Sequence, residues 1–195
     1  MRKLRFGVVG LRRGVDHARR IAASDRCELV ALSDRIEDVG ESWTRQLGAK
    51  AFYTDYREMI KRDDLDAVVI STPNHLHAPM SIASLEAGLH VLVEKPMCIS
   101  LREADQMIQA AERTERKLYV GYNKRLSHWH ERVKKIIQNG DLGRILYVTS
   151  LMKAWRPSSY YEEAKWRSKW ETQGGGILMN PGRHTLEAFR SEEHT

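Results

Sequence analysis

From residue 4 to about residue 122, short runs of β-branched and aliphatic residues alternate with longer segments whose apolar residues recur at helical spacing. This alternation constrains the fold more than any other feature. Strands that read as near-continuous apolar runs must be covered on both faces, and a parallel sheet between two layers of helices provides that cover. The strands predicted are Leu4 to Val9, Leu29 to Ser33, Ala51 to Tyr53, Ala67 to Ser71, His90 to Val93 and Leu118 to Gly121. Between them, Val15, Ala18, Ile21 and Ala22 share one helical face, and Ile36, Val39, Trp43 and Leu47 share another, so each helix can lay an apolar stripe on the sheet. Asp55 with Glu58 and Ser100 with Glu103 have capping-box spacing, and Gly88 stands where a left-handed cap must end the helix before His90. The expected class is α/β, a doubly wound parallel sheet.

After residue 122 the pattern changes to a basic amphipathic helix, Ser127 to Gln138, stopped by Asn139-Gly140, then a strand from Arg144 to Met152 and the irregular stretch AWRPSSYYEEAKWRSKWE. The expected organisation is a nucleotide-binding domain over residues 1–122 and, over 123–190, the start of an α+β sheet domain. The second domain is expected to be truncated at its C-terminal side, because one strand and one glycine-led helix cannot bury both of their faces. The last six residues, RSEEHT, read like a sequencing adapter translated in frame, and 191–195 are expected to be a non-native tail.

Composition removes several classes. With 42% hydrophobic and 30% charged residues the chain is neither disordered nor collagen-like. Its longest apolar runs, such as Ala67 to Ile70 and Val91 to Val93, fall far short of the roughly 20 residues that cross a bilayer, so no membrane partner is expected. The opening MRKLRFGVVG has Gly7 and Gly10 inside its apolar run and no small-residue cleavage site, which makes it a first strand and predicts a cytoplasmic location. Cys27 and Cys98 are isolated, with no CxxC pair, so neither a disulfide framework nor a zinc site is indicated. The net charge of +6 would suit nucleic acid or an anionic cofactor. Basic residues interleave with acids, as in LREADQ and AERTERK, the pattern of a solvated helix face, and no nucleic-acid partner is expected.

The segment GVVGLRRG follows the first strand and precedes the first helix, and Asp34 ends the second strand 20 residues beyond Gly14. In a Rossmann-type dinucleotide fold, glycines at this turn bring backbone N–H groups at a helix N-terminus to a pyrophosphate, while the acid accepts from the ribose hydroxyls. The match to G-x-G-x-x-G is imperfect: Gly10 holds the first place, Arg12 stands at the second and Val15 at the third, with Gly14 one residue early. A side chain at 12 must relax the turn or point outward, where its guanidinium can reach a phosphate oxygen. Gly10, Leu11, Arg12, Arg13, Gly14 and Asp34 are therefore candidate cofactor residues. Asp34 favours NAD, while the adjacent Arg35 leaves NADP possible.

Three later segments narrow the reading. STPNHLHAPM follows the fourth strand, HVLVEKPM ends the fifth, and GGGILMNPGRHTLEAF lies near the end. Together they resemble the family of glucose-fructose oxidoreductase, inositol dehydrogenase and rhizopine-catabolism oxidoreductase, known as Gfo/Idh/MocA. The resemblance runs from about Leu4 to Phe189 through T-P-N-x-x-H, E-K-P and G-G-G…H in that order, and GYNKR and DLGRILYV look like that family's crossing into its sheet domain.

These residues make physical sense by themselves. Thr72, Pro73 and Asn74, and Glu94, Lys95 and Pro96, lie at the carboxyl ends of adjacent predicted strands, where open α/β sheets bind ligands. Lys95 beside Glu94 is either a paired surface lysine or a desolvated proton carrier. The resemblance implies the latter, with Lys95 the active-site lysine and His184 the acid–base histidine. Asn180 precedes His184 by four residues, which puts both on one face of a helix, and it is assigned an orienting role because an amide is no carboxylate base. Many family members have aspartate there; asparagine accompanies a WR-x-x-W stretch, here Trp166, Arg167 and Trp170. Pro181, Arg183 and Glu187 also depart from the commoner pattern.

His75 with His77, and His128 with His130, have HxH spacing without a third ligand, so no metal is expected. His77 is expected to fix the Thr72–Asn74 turn near the nicotinamide. Trp155, Trp166 and Trp170 read as core or cofactor packing, with a sugar-stacking wall as the alternative. Asn123, Trp166 and Arg167 complete the candidate cofactor set.

The resemblance implies an NAD(P)-dependent oxidoreductase moving a hydride between nicotinamide and a secondary alcohol of a sugar, cyclitol or related polyol, and a homo-oligomer at full length. Two rivals are an NAD-dependent glycoside hydrolase of the same superfamily and a nucleotide-binding fragment without turnover.

Overall fold

The computed structural model describes residues 2–123 and 127–192. The chain divides into two compact units, Met1–Gly121 and Tyr122–Thr195.

The first unit alternates strand and helix: β1 (Leu4–Val9), α1 (Gly14–Ala22), β2 (Cys27–Ser33), α2 (Glu37–Leu47), β3 (Ala51–Tyr53), α3 (Tyr56–Met59), β4 (Ala67–Ile70), α4 (Asn74–Glu86), β5 (His90–Val93), α5 (Leu101–Thr114) and β6 (Leu118–Val120). The six strands form one sheet in the order β3-β2-β1-β4-β5-β6, and every pairing is parallel. The order reverses between β1 and β4, the place whose carboxyl edge is where open α/β sheets bind ligands.

Both faces of the sheet are covered. Val9, Val68, Ile70, Val91 and Val93 pack with Met59, Leu85 and Met107 of α3, α4 and α5 on one side. Val8, Leu32 and Val69 pack with Ala18 and Ile21 of α1 and with Trp43 and Leu47 of α2 on the other. At α5 Ser100 accepts from the Glu103 N–H while Glu103 reaches back to the Ile99 N–H; at α3 Asp55 caps the helix by accepting the Arg57 N–H, and Glu58 pairs with Lys61 instead of closing a box.

The predicted stripes need correction at their ends. Ala22 is exposed, as are Ile36 and Val39. On α2 the buried residue is Gly40, where a Cβ would collide with the Phe52 ring, so the helix lies too close to β3 for a stripe of large side chains along its whole length.

The second unit carries α6 (His128–Gln138), α7 (Ser158–Glu162), a 3₁₀ turn (Lys165–Ser168), α8 (Trp170–Gln173), a π-helical turn (Leu178–Gly182) and α9 (Arg183–Glu192). The strand expected from Arg144 to Met152 is not formed; residues 145–157 have no regular structure and 141–156 are exposed. A strand requires a hydrogen-bonded neighbour, and among the described residues of this unit none is a strand. Among the described residues, no helix is long and apolar enough to cross a membrane.

Candidate active site at the carboxyl edge of the parallel sheet

The site of the first unit is assembled from turns that leave β1, β2, β4 and β5 at the same edge. Gly10 adopts φ +87°, and a Cβ there would lie 2.6 Å from the Ser71 carbonyl oxygen, so the β1 turn presses directly on the backbone that leaves β4. Gly14 opens α1 with an ordinary helical backbone, yet a Cβ would lie 3.0 Å from Val8 and 3.2 Å from Ser71. The close helix–sheet approach that a third fingerprint glycine serves is thus provided by Gly14, although the spacing had put Val15 in that place. Arg12 needs no left-handed backbone, and both Arg12 and Arg13 are exposed, so the turn closes with these side chains outward.

Asp34 fastens the same turn. Its Oδ2 accepts the Leu11 N–H at 2.7 Å, and its Oδ1 accepts the Ile36 N–H at 3.0 Å. A carboxylate has further lone pairs, which leaves acceptor capacity for a ribose hydroxyl. Arg35 beside it is exposed.

At β4 the chain turns through Thr72 and Pro73 into α4, where Asn74 is the buried first residue. His77, 1% exposed, bridges two turns: one ring nitrogen lies 2.6 Å from the Pro96 carbonyl oxygen and the other 2.9 Å from that of Thr72. A neutral ring donates to one of these carbonyls, an imidazolium to both. Burial pulls the His77 pKa below its ordinary value, and the two carbonyls oppose that pull without cancelling it. His77 therefore ties the Thr72 turn to the Lys95–Pro96 turn, a wider role than fixing the first alone.

At β5, the Glu94 carboxylate is engaged on both oxygens. Oε1 lies 2.9 Å from Nε2 of His17; Oε2 accepts the Lys95 backbone N–H at 3.2 Å and lies 4.0 Å from the Lys95 ammonium. Burial alone would raise the Glu94 pKa, but the His17 hydrogen bond and the neighbouring Lys95 charge together hold it below the ordinary carboxylate value. Gly121, just after β6, faces the same carboxylate, and a Cβ there would meet the Glu94 carboxyl carbon at 3.6 Å, an ordinary contact. Lys95 is 17% exposed, a lysine largely removed from water beside an ionised carboxylate.

In the second unit, Tyr160 gathers two of the predicted residues. Its hydroxyl accepts from the Asn180 side-chain amide at 3.0 Å, its carbonyl accepts from Arg167 at 2.9 Å, and the Arg167 guanidinium lies 4.2 Å from its ring centroid. Asn180 sits in the π-helical turn and His184 in the first turn of α9, so the straight-helix argument for a shared face does not cross that junction. Trp166 is half-buried, whereas Trp155 and Trp170 are exposed, so of the expected core or cofactor packing the core part does not hold for these two. Asn123 is exposed.

Lys95 thus belongs to the first unit, and Asn180 and His184 to the second. Sequence reasoning missed His17, Tyr160 and Gly121. His17 carried one usable signal, its place in the first turns of the helix that follows the glycine loop; Tyr160 carried none.

Comparison with known proteins agrees with this architecture. The Gfo/Idh/MocA family description "Oxidoreductase family, NAD-binding Rossmann fold" matches residues 4–122, and the GFO/IDH/MocA C-terminal domain matches residues 130–191. The chain is 32% identical over 190 residues to myo-inositol 2-dehydrogenase of Thermotoga maritima, covering 96% of this chain and 54% of that protein. It is 31% identical over 194 residues to glycosyl hydrolase family 109 protein 1 of Shewanella sp. strain ANA-3, covering 91% and 42% respectively. The crystal structure of the WlbA dehydrogenase from Bordetella pertussis in complex with NADH and UDP-GlcNAcA superposes with a TM-score of 0.85 at 31% identity, covering 97% of this chain and 55% of that one. The chain spans about half the length of the curated relatives it matches.

Proposed function

Since the chain belongs to the Gfo/Idh/MocA oxidoreductase family, we propose that the whole protein is an NAD(P)-dependent oxidoreductase acting on a secondary alcohol of a sugar, cyclitol or related polyol. The observation that carries this reading is the Glu94–Lys95 pair at the carboxyl end of β5, on the same sheet edge as the Gly10–Gly14 turn. The residues present fit a dinucleotide: the Gly10 turn packs against the Ser71 backbone with no room for a side chain, as a tight phosphate-binding turn requires, and the N-terminus of α1 offers partial positive charge to a pyrophosphate. When bound, NAD supplies the hydride acceptor or donor.

The chain's own residues do the rest. The backbone from Gly10 to Gly14, with Leu11, Arg12 and Arg13 between, holds the pyrophosphate, and Asp34 accepts from the adenosine ribose. Arg35 is the residue through which NADP would be tolerated. Thr72, Pro73, Asn74, His77 and Glu94 shape the nicotinamide end in the first unit; Asn123, Trp166 and Arg167 of the second unit are assigned to the cofactor by the family resemblance. Lys95 takes or returns the hydroxyl proton at Nζ; the family resemblance assigns an acid–base role to His184 and an orienting role to Asn180 in the second unit. The same reading carries a cytoplasmic location, supported by the free thiols of Cys27 and Cys98, and a homo-oligomer for the whole protein.

The test is titration with NADH and with NADPH, following quenching of the five tryptophans and energy transfer to the nicotinamide. Saturable binding, tighter for NADH, is expected; a folded chain that binds neither overturns the reading. A glycoside hydrolase using bound NAD is the second reading, favoured by the 31% identity to a family 109 protein. Glycoside cleavage without net NADH formation would select it over net reduction of NAD by a polyol.

A further inference from the structure

The reversal of strand order between β1 and β4 divides the sheet into two halves, and in a dinucleotide fold each half takes one nucleotide. Asp34, just after β2, marks the adenosine half, so Glu94, just after β5, stands on the nicotinamide half. His17 of α1 reaches it from the first half, with Nε2 2.9 Å from Glu94 Oε1. We propose that His17 is a positioning residue that sets the preference for oxidised over reduced nucleotide, acting through Glu94: it holds that carboxylate ionised and in place at the nicotinamide end. This rests on the proposed function, in which Glu94 shapes that end of the site.

Electrostatics give the direction. The nicotinamide ring is cationic in NAD and neutral in NADH, so a fixed anion near it stabilises the oxidised form and leaves the reduced form little affected. Burial opposes ionisation here, since the Glu94 side chain is only 18% exposed. Two hydrogen bonds stand in for the missing water: His17 Nε2 on Oε1, and the Lys95 backbone N–H on Oε2 at 3.2 Å. The second lies within one turn of chain; the first crosses from α1 and is the shorter. An ionised carboxylate only accepts, so Nε2 carries the proton and donates whether the imidazole is neutral or charged. The charged or titratable groups at this carboxylate are His17 from α1 and the Lys95 ammonium from its own turn. The lysine is common to every variant compared below.

The helix that opens on the proposed pyrophosphate turn thus also governs, through His17, the charge at the opposite end of the site. Without His17 the largely buried carboxylate loses a donor that burial makes hard to replace. It then turns away towards water or becomes harder to ionise. Either change withdraws negative charge from the nicotinamide end, and affinity falls more for NAD than for NADH.

The test measures two affinities without turnover: NADH by energy transfer from tryptophan, and NAD by its displacement of bound NADH, with circular dichroism on each sample. In His17→Ala the affinity for NAD relative to NADH should fall about fivefold. His17→Phe, which keeps a ring but donates nothing, should match it and serves if the alanine variant does not fold. His17→Gln, whose amide donates to Oε1 without a charge, should bring the ratio within about twofold of the parent. Glu94→Gln should lower the ratio at least as far, and adding His17→Ala to it should change the ratio no further, a non-additivity that lost packing alone does not produce. The Glu94 carboxyl, followed by carbon-13 NMR in the chain without nucleotide, should titrate at higher pH in His17→Ala than in the parent. An unchanged ratio in a folded His17→Ala or His17→Phe chain overturns the proposal, as do His17→Gln matching the alanine variant and full additivity with Glu94→Gln. An unmoved Glu94 titration overturns it whether or not nucleotide binds. A folded parent chain that binds neither nucleotide overturns the proposed function itself, a result distinct from binding with an unchanged ratio.

Discussion

The carboxylate of Asp34 and the backbone N–H of Leu11, 23 residues apart in sequence, meet at 2.7 Å and join the end of β2 to the turn after β1. The acid expected to read the ribose is therefore also the clasp of the loop expected to hold the pyrophosphate. Asp34→Ala should weaken NADH binding about tenfold or more, because it removes a charge-assisted bond within the loop together with the ribose acceptor. Asp34→Asn keeps an oxygen acceptor and should lose less NADH affinity while narrowing the preference over NADPH. Fluorescence titration with both nucleotides checks each value.

Gly10→Ala combines a left-handed backbone with a Cβ 2.6 Å from the Ser71 carbonyl oxygen. Backbone atoms on both sides cannot move aside cheaply, and the expected cost is about 3 kcal/mol of stability. Urea denaturation should show the midpoint falling with little change in slope.

His77 gives the fold a dependence on pH in the histidine range. Burial lowers its folded-state pKa below the ordinary value of 6.5, so the unfolded chain takes up the proton first. The contribution is whole above 6.5 and declines as pH falls below it towards the lowered value, at no more than about 1.4 kcal/mol per pH unit. Urea midpoints at successive pH values should show this decline in the parent chain and its loss in His77→Gln.

A second acid limb belongs to Asp66, which pairs with the Arg5 guanidinium on both oxygens, at 3.0 and 3.1 Å, and accepts the Arg5 N–H at 2.9 Å. The Arg5 side chain, opposed by burial and aided by the Arg5 backbone and Arg2, holds this carboxyl at about 2. A depressed carboxyl stabilises the fold above its ordinary pKa of 3.8 and stops doing so as pH falls towards 2. Asp66→Asn should cost about 1–2 kcal/mol at neutral pH and flatten the acid limb below pH 4, measured by thermal unfolding.

The doubly wound sheet was legible because its strands are buried on both faces, and burial leaves apolar runs that a reader can see, as in Ala67 to Ile70. Helix ends were legible where a side chain satisfies an orphan N–H, as at Ser100. The strand from Arg144 to Met152 was misread because its alternation and composition describe a strand's preference, whereas a strand exists only with a neighbour. Around the site, Asp34 could be named from its spacing to the glycine loop, and Glu94 and Lys95 from their place after the fifth strand and the family resemblance, but the contacts of Asp34 with Leu11 and of Glu94 with His17 could not. Those depend on which residue across the sheet meets them, and His17 is 77 positions from Glu94 in sequence.

The residues gathered on the first unit lie on turns, or on the helices those turns open, at one edge of the sheet. Each turn leaves a different strand, yet the turns are tied to one another through Asp34 on Leu11 and His77 on the Thr72 and Pro96 carbonyls. A change of length in one turn would therefore be felt at its neighbour: shortening the turn after β2 would move the Asp34 clasp on the turn after β1, and shifting the turn after β4 would pull on the one that follows β5.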